Sequence, residues 1–330
     1  MDDKPLSRSE FLKLLALGGA GLAFLRANPE KAFAALAGQE KAAAGAQQAL
    51  DAAALNGDAL AAHAAGAVLA VAKGTSADSN VKRAVAAVGG MRRFVHAGNT
   101  VVIKPNIAHA IAPKYAVTTN PQVVASLVRL ARAAGASKVL VMDNSSGGAP
   151  SACYAASGIQ AAVHAAGGSM VVMGSPGFKN YSIPGHLLKS QPVYSGIVNA
   201  NVLINVPIAK QHHSTGLTLA GKNMMGAISS RARLHQLGLS QSIAEINALL
   251  RPELTVIDAM RILVRNGPGG GRLSDVAVKN TVVACADWVA ADAYTTRLFG
   301  KTPSFVPYIS AATRMGLGRG TLSGVSIRNV

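Results

Sequence analysis

The chain has 330 residues, half of them hydrophobic, with 32 Lys and Arg against 15 Asp and Glu and a net charge of +17. Such a length supports one large core or two smaller ones, and the charge favours anionic partners such as phosphate esters, carboxylates or lipid headgroups. An aromatic content of 4% and basic residues scattered as singles and pairs argue against nucleic acid as the partner.

Residues 7–13 read SRSEFLK and precede the apolar stretch LLALGGAGLAFL. This resembles a twin-arginine export signal, S-R-R-x-F-L-K, with Arg8 in place and Ser9 where the second arginine belongs, which leaves the export route open. The apolar stretch is too short to span a bilayer, and Ala32-Phe33-Ala34 supplies an A-x-A cleavage pattern. Residues 1–34 therefore read as an export segment, its only contact with a membrane, and predict a periplasmic protein or one on the outer face of the cytoplasmic membrane. Residues 35–66, dominated by alanine, read as a spacer or a loosely docked helix.

From residue 67 onward, short apolar β-branched runs alternate with helical patterns. GAVLAVAKG is a strand. SADSNVKRAVAAVGG is a helix with Asp78 or Ser79 near its cap. NTVVIKPN is a strand stopped by Pro105. The helix of TTNPQVVASLVRLARAAG is capped by Asn120, takes Pro121 in its first turn and ends at Gly135. Then come SKVLVMDNSS (strand), SACYAASGIQAAVHAAGG (one or two helices), SMVVMG and NANVLINVPIA (strands) and LSQSIAEINALL (helix). ELTVIDAM is a strand, and KNTVVACADWVAADAYTTRLFG runs from strand into helix. The alternation predicts an α/β fold over 67–330, one main domain with a mostly parallel sheet and helices on both faces. Two cysteines, Cys153 and Cys285, both outside C-x-x-C pairs, read as buried small hydrophobes or, in an exported protein, as a disulfide pair. They argue against an iron–sulfur cluster held by this chain alone.

Four strand patterns end in polar residues: Lys104, Asp143, Asn205 and Asp258. In open α/β sheets ligands bind beyond the carboxyl ends of the strands, so four such exits predict one pocket rim. The stretch 210–226, KQHHSTGLTLAGKNMMG, follows one of these strands. Lys210 and Lys222 supply compact positive charge for phosphate or carboxylate. His212 and His213, as neighbours in regular structure, point different ways, and nearby lysines push an imidazole towards its neutral form. Gly216, Gly221 and Gly226 permit close backbone approach to a ligand. The candidate catalytic residues are thus His212, His213, Lys210 and Asp258. The candidate ligand-holding residues are Lys104, Asn106, Asp143, Ser145, Thr218, Lys222, Asn223 and Gly226. DNSSGGAPS at 143–151 offers backbone N–H groups and hydroxyls to a phosphate, and RNGPGGGR at 265–272 is a flexible loop flanked by arginines.

The pattern K-x-H-x-x-T-G-x-T-x-x-x-KN-x-x-G after a strand of the NVPI type resembles the family called domain of unknown function 362. VVIKPN, TNPQVVASLVRLARAAGASKVLVMD, VIDAM with NGP, and ADWVAADAYTTRLFG extend the resemblance over roughly 67–300. It implies an α/β domain, often exported, and often joined to a ferredoxin-like four-cysteine domain that this chain does not carry. The family's A-D-P-V-A-x-D reads A-D-W-V-A-A-D here, with Trp288 in place of proline and Asp287 still able to cap. Three functions follow as expectations. One is an enzyme acting on a small anionic metabolite or cofactor, with Asp143 and Asp258 orienting groups or binding a divalent metal through oxygen. The others are a maturation factor for a periplasmic redox system, and a flavin-binding redox protein with an external iron–sulfur partner.

Overall fold

The structure, a computed structural model, describes residues 67–330. The stretches read from the sequence as an export segment and an alanine-rich spacer lie outside the described residues.

The chain begins with β1 (Val68–Lys73), α1 (Ala77–Ala87), β2 (Thr100–Pro105), α2 (Pro121–Ala133) and β3 (Lys138–Val141). Two short helices follow, α3 (Pro150–Ala156) and α4 (Ile159–Ala165), then the two-residue β4 (Ser169–Met170). Next come a separate hairpin of β5 (Phe178–Ser182) and β6 (Ser190–Tyr194), one turn of α5 (Ser195–Val198), and β7 (Val202–Val206). Pro207, which has no N–H to give a ladder, separates β7 from β8 (Ile208–His212). The rest is β9 (Gly216–Thr218), α6 (Ala220–Asn223), α7 (Ala232–Leu237), α8 (Leu239–Leu250), β10 (Leu254–Leu263), β11 (Val276–Cys285), α9 (Trp288–Thr295), α10 (Pro307–Arg314) and β12 (Ser326–Asn329).

One sheet has the order β12-β1-β11-β10-β7-β2-β3-β4, with β8 paired to β10 and β9 to β8. Pairing is parallel except where β11 meets β1 and β10 and where β8 turns back into β9. The mostly parallel sheet read from the sequence is thus present. Both faces are buried, as a sheet with helical crossovers requires. One face carries Ala70, Val101, Ile103, Ile204, Val256 and Val282 against α1 to α4. The other carries Leu69, Val102, Leu203, Ile257 and Val283 against α6 to α10.

Local signals account for the helix boundaries. Asn120 accepts the Gln122 N–H at the start of α2 and Pro121 takes the first turn; such a cap contributes about 1 kcal/mol. Asp287 accepts from the amides of Val289 and Ala290 and starts α9 without the family's proline. The cap of α1 is Ser76, one turn before the expected Ser79, whose N–H it accepts. Both cysteines are free and buried.

Candidate functional site

Parallel register sets the first positions. Lys104 on β2 lies opposite Asn205 on β7, and β3 ends beside Ile103, two residues short of Asp143. Side chains alternate along a strand, so Lys104 and Asn205 share the face of Val102 and Leu203. There they meet α6. Asn223 accepts from Lys104 Nζ at 3.4 Å and from Asn106 Nδ2 at 2.9 Å, and donates to Asn205 Oδ1 at 2.8 Å. Lys104 Nζ also donates to Asp143 Oδ1 at 2.6 Å, and Asp143 Oδ2 accepts the Ile107 amide at 2.6 Å. Asn106 Oδ1 accepts from Lys210 Nζ at 3.1 Å, and the same ammonium donates to the Val117 carbonyl at 2.7 Å. Lys104, Asn106, Asp143, Asn205, Lys210 and Asn223 therefore form one buried, hydrogen-bonded chain. Each member is 7% exposed or less.

Around this chain lies a cationic shell. Lys222, half-buried on α6, directs Nζ at the Met225 sulfur at 3.0 Å. Arg231 donates to the carbonyls of Met225 and Asn144. His212 is buried at the end of β8, where its Nδ1 accepts the Ser214 amide at 3.1 Å. That bond leaves the neutral ring's proton on Nε2. His213 is exposed and stacks on His212 with ring centroids 4.8 Å apart. The expectation that the two rings diverge fails because His213 already belongs to the turn, where strand alternation no longer applies.

Burial shapes the protonation of this cluster. Desolvation pulls Lys210 down to about 7, against the pull of Asp143 and with the push of Lys222 and Lys104. Lys222 falls to about 8 through burial and the neighbouring Arg231. Burial and then Lys222 push His212 down to about 3, so its imidazole is neutral at physiological pH. His109, half-buried and missed in the sequence because it stands alone, is lowered by burial and by Lys210.

The balance of charge is the main feature of the site. Among the described residues Lys104–Asp143 is the cluster's one ion pair; Lys210, Lys222 and Arg231 have no carboxylate within 4.0 Å. Beside them, Thr218 faces Lys210 across the β8–β9 hairpin, and its buried hydroxyl has no hydrogen-bond partner.

Several expected residues take other roles. Asp258 does not end a strand, since β10 runs on to Leu263. It shares the face of Val256 and Met260, opposite Lys104, and accepts the Asn120 and Met260 amides at 2.7 and 3.0 Å. Burial lifts it to about 6. Ser145 is bound to the Ile107 carbonyl, and the amides of Asn144, Ser146 and Gly147 go to Gly226 and Ala108, so the 143–151 loop has largely used its donors internally. Gly226 makes room for the ion pair, since a Cβ there would lie 1.9 Å from Asp143 Oδ1 and 2.4 Å from Lys104 Nζ. Gly221 likewise packs against Trp288 and Tyr308. The glycine-rich loop rests on the hairpin, with Gly267 N–H donating to Gln211 Oε1 at 2.6 Å.

Asp292, left without a role in the sequence, is buried and accepts the Ala220 and Gly221 amides at 2.7 and 2.9 Å. It fixes the start of α6 and thereby Lys222 and Asn223. The signal for it was its place as the second aspartate of A-D-W-V-A-A-D, five residues beyond the Asp287 cap. No group of three or more His, Cys, Asp and Glu residues gathers to hold a metal ion among the described residues.

A mostly parallel α/β domain with a buried Lys–Asn–Asp chain and a cationic shell at the carboxyl edge of its sheet is the class defined so far. The chain belongs to the family described as domain of unknown function (DUF362), whose profile matches residues 101–297. It is similar to the thylakoid-associated protein sll1697 of Synechocystis, 26% identical over 239 residues that cover 70% of this chain and 72% of that protein. Among solved structures, the lactate racemase apoprotein of Thermoanaerobacterium thermosaccharolyticum superposes with a TM-score of 0.40 at 13% identity. The match covers 66% of this chain and 54% of the racemase.

Proposed function

We propose that this protein is an enzyme that binds a small anionic metabolite or cofactor, through phosphate or carboxylate oxygens, between Lys210, Lys222 and Arg231. One observation carries the reading: three buried or half-buried cations stand together without a carboxylate partner. Unpaired buried charge is costly, and a bound anion supplies the missing counter-charge. The orphan Thr218 hydroxyl adds a donor for the same ligand. Lys210 and Lys222, each partly neutral near pH 7, then serve proton transfer, and His212 offers its Nε2–H as a hydrogen-bond donor. Export to the periplasm belongs to the same proposal, supported by Arg8 and the apolar segment after it; cell fractionation with the N-terminal segment intact and deleted tests it.

The binding test is a thermal shift of the full chain against orthophosphate, pyrophosphate and malonate, with chloride at matched ionic strength. A ligand that binds the folded state raises Tm by mass action. The expected result is a rise with at least one of the oxyanions, absent with chloride and lost in the Lys222→Gln, Arg231→Gln double variant. An equal rise with chloride, or an unchanged rise in the double variant, overturns the reading.

A further inference from the structure

The three lysines of the cluster are not equivalent. Lys104 Nζ is held by Asp143 and the Pro105 carbonyl, and Lys210 Nζ by Asn106 and the Val117 carbonyl; both are essentially unexposed. Among the described residues Lys222 Nζ meets only a thioether sulfur, a weak acceptor, and it keeps partial access to solvent. Its helix is pinned at the start by Asp292 and packed through Gly221 on Trp288 and Tyr308, so the amine has a fixed place. The groups acting on it are cations or neutral imidazoles: Arg231 from the segment before α7, Lys210 and His212 from β8, and His235 from α7. Asp143, the acid whose charge acts on Lys210 and Arg231, is engaged by Lys104. A lysine desolvated beside other cations exposes its lone pair, and that makes it a nucleophile.

We propose that Lys222 is a catalytic nucleophile that captures the carbonyl carbon of an anionic aldehyde or oxo acid as an imine. This rests on the anion-binding reading above and narrows its ligand to carbonyl compounds. The amine lone pair forms the N–C bond, and the carbonyl π pair moves to oxygen, which takes up the amine's proton to give a carbinolamine. The hydroxyl then leaves as water with the second amine proton, and the nitrogen lone pair closes the C=N bond. No oxidant or reductant is consumed. His212, whose Nε2 carries the neutral ring's proton, keeps that proton and donates it as a hydrogen bond to the carbonyl oxygen and then to the departing hydroxyl, while the proton that leaves in water comes from the amine; Lys222 is the strongest neighbouring charge on the ring. Arg231 and Lys210 hold the ligand's anionic group.

The test treats the full chain with glyoxylate and sodium cyanoborohydride, which fixes an imine as a stable carboxymethyl amine, and maps the labelled lysines by mass spectrometry. At pH 7 an amine titrating near 8 is about one-tenth neutral, against about three parts in ten thousand for an ordinary lysine, so labelling at Lys222 is expected to be roughly three hundredfold faster than at surface lysines. Glyoxylate is expected to outpace uncharged acetaldehyde, and Lys222→Arg to lose the label while keeping its melting temperature. If that variant fails to fold, the wild-type rate against pH decides, with a half-point near 8 expected and one near 10.5 refuting. Labelling no faster at Lys222 than elsewhere, with orthophosphate still stabilising the chain, overturns the nucleophile and leaves the anion site standing. Equal labelling of Lys222 by acetaldehyde and glyoxylate, without any orthophosphate shift, overturns the anionic substrate class together with the functional reading.

Discussion

Replacing Lys210 by Met tests the electrostatics on which the site depends. Methionine keeps the length of the side chain and removes the ammonium. Lys210 titrates at about 7 when folded and at 10.5 in an unfolded chain. The unfolded state therefore binds more protons than the folded one between these values, and stability rises with pH across that window. A folded lysine depressed in this way is a burden that is fully present below pH 7 and is relieved as pH climbs towards 10.5. Between pH 7 and 9 the relief amounts to about 2 kcal/mol for this one group. Lys210→Met also strands the Asn106 Oδ1 and Val117 carbonyl acceptors, at about 1–3 kcal/mol each, but that cost does not vary with pH and cancels in the slope. The assay is urea unfolding at intervals from pH 7 to pH 9 for both proteins. Wild type is expected to gain about 2 kcal/mol more than the variant over this range, and saturating anion is expected to flatten the difference by holding the lysine charged. Parallel stability curves for the two proteins would refute a desolvated Lys210 and with it the case for an uncompensated cationic pocket.

His212, pushed down to about 3, is neutral when folded but takes a proton below 6.5 when unfolded, so stability is lost as pH falls from 6.5 towards 3; His212→Gln should flatten that limb of an acid unfolding curve. Gly226→Ala drives a methyl group into the Lys104–Asp143 pair and should cost at least about 3 kcal/mol by urea unfolding, whereas Gly269→Ala, with open space around its Cβ, should be close to neutral. Asp292→Asn places an amide donor against one of the two backbone N–H groups that the carboxyl accepts at the start of α6. We expect about 1–3 kcal/mol of destabilisation, faster hydrogen exchange at Ala220 and Gly221, and weaker orthophosphate binding.

Much of the site was legible because its residues cluster in sequence or end strands. Lys210, Thr218, Lys222 and Asn223 come from one short stretch. Lys104, Asn205 and Asp143 meet because β2, β7 and β3 run parallel in register, as their apolar runs implied. Arg231 and His109 gave no pattern of their own, and only the return of their loops to the sheet edge brings them close. Asp258 illustrates a different limit: a run of apolar residues ending in Asp looks the same whether the strand stops there or continues. The chain continues to Leu263 because β8 extends the ladder that β7 began, pairing with the far half of β10.

The alternation of strands and helices, the caps at Asn120 and Asp287, and the excess of basic over acidic residues can all be read from the order of the amino acids. Those properties are local or compositional: they follow from side-chain period, capping chemistry and simple counts. Tertiary structure alone decided which face of the sheet each polar residue occupies. A strand's side chains alternate, so a single step of register moves a residue to the opposite face. Lys104 and Asn205 fall on the side of α6, while Asp258 falls on the side of α2. Tertiary structure also decided which lysine is left without an oxygen partner, because that depends on how many acceptors the fold brings within reach of each ammonium.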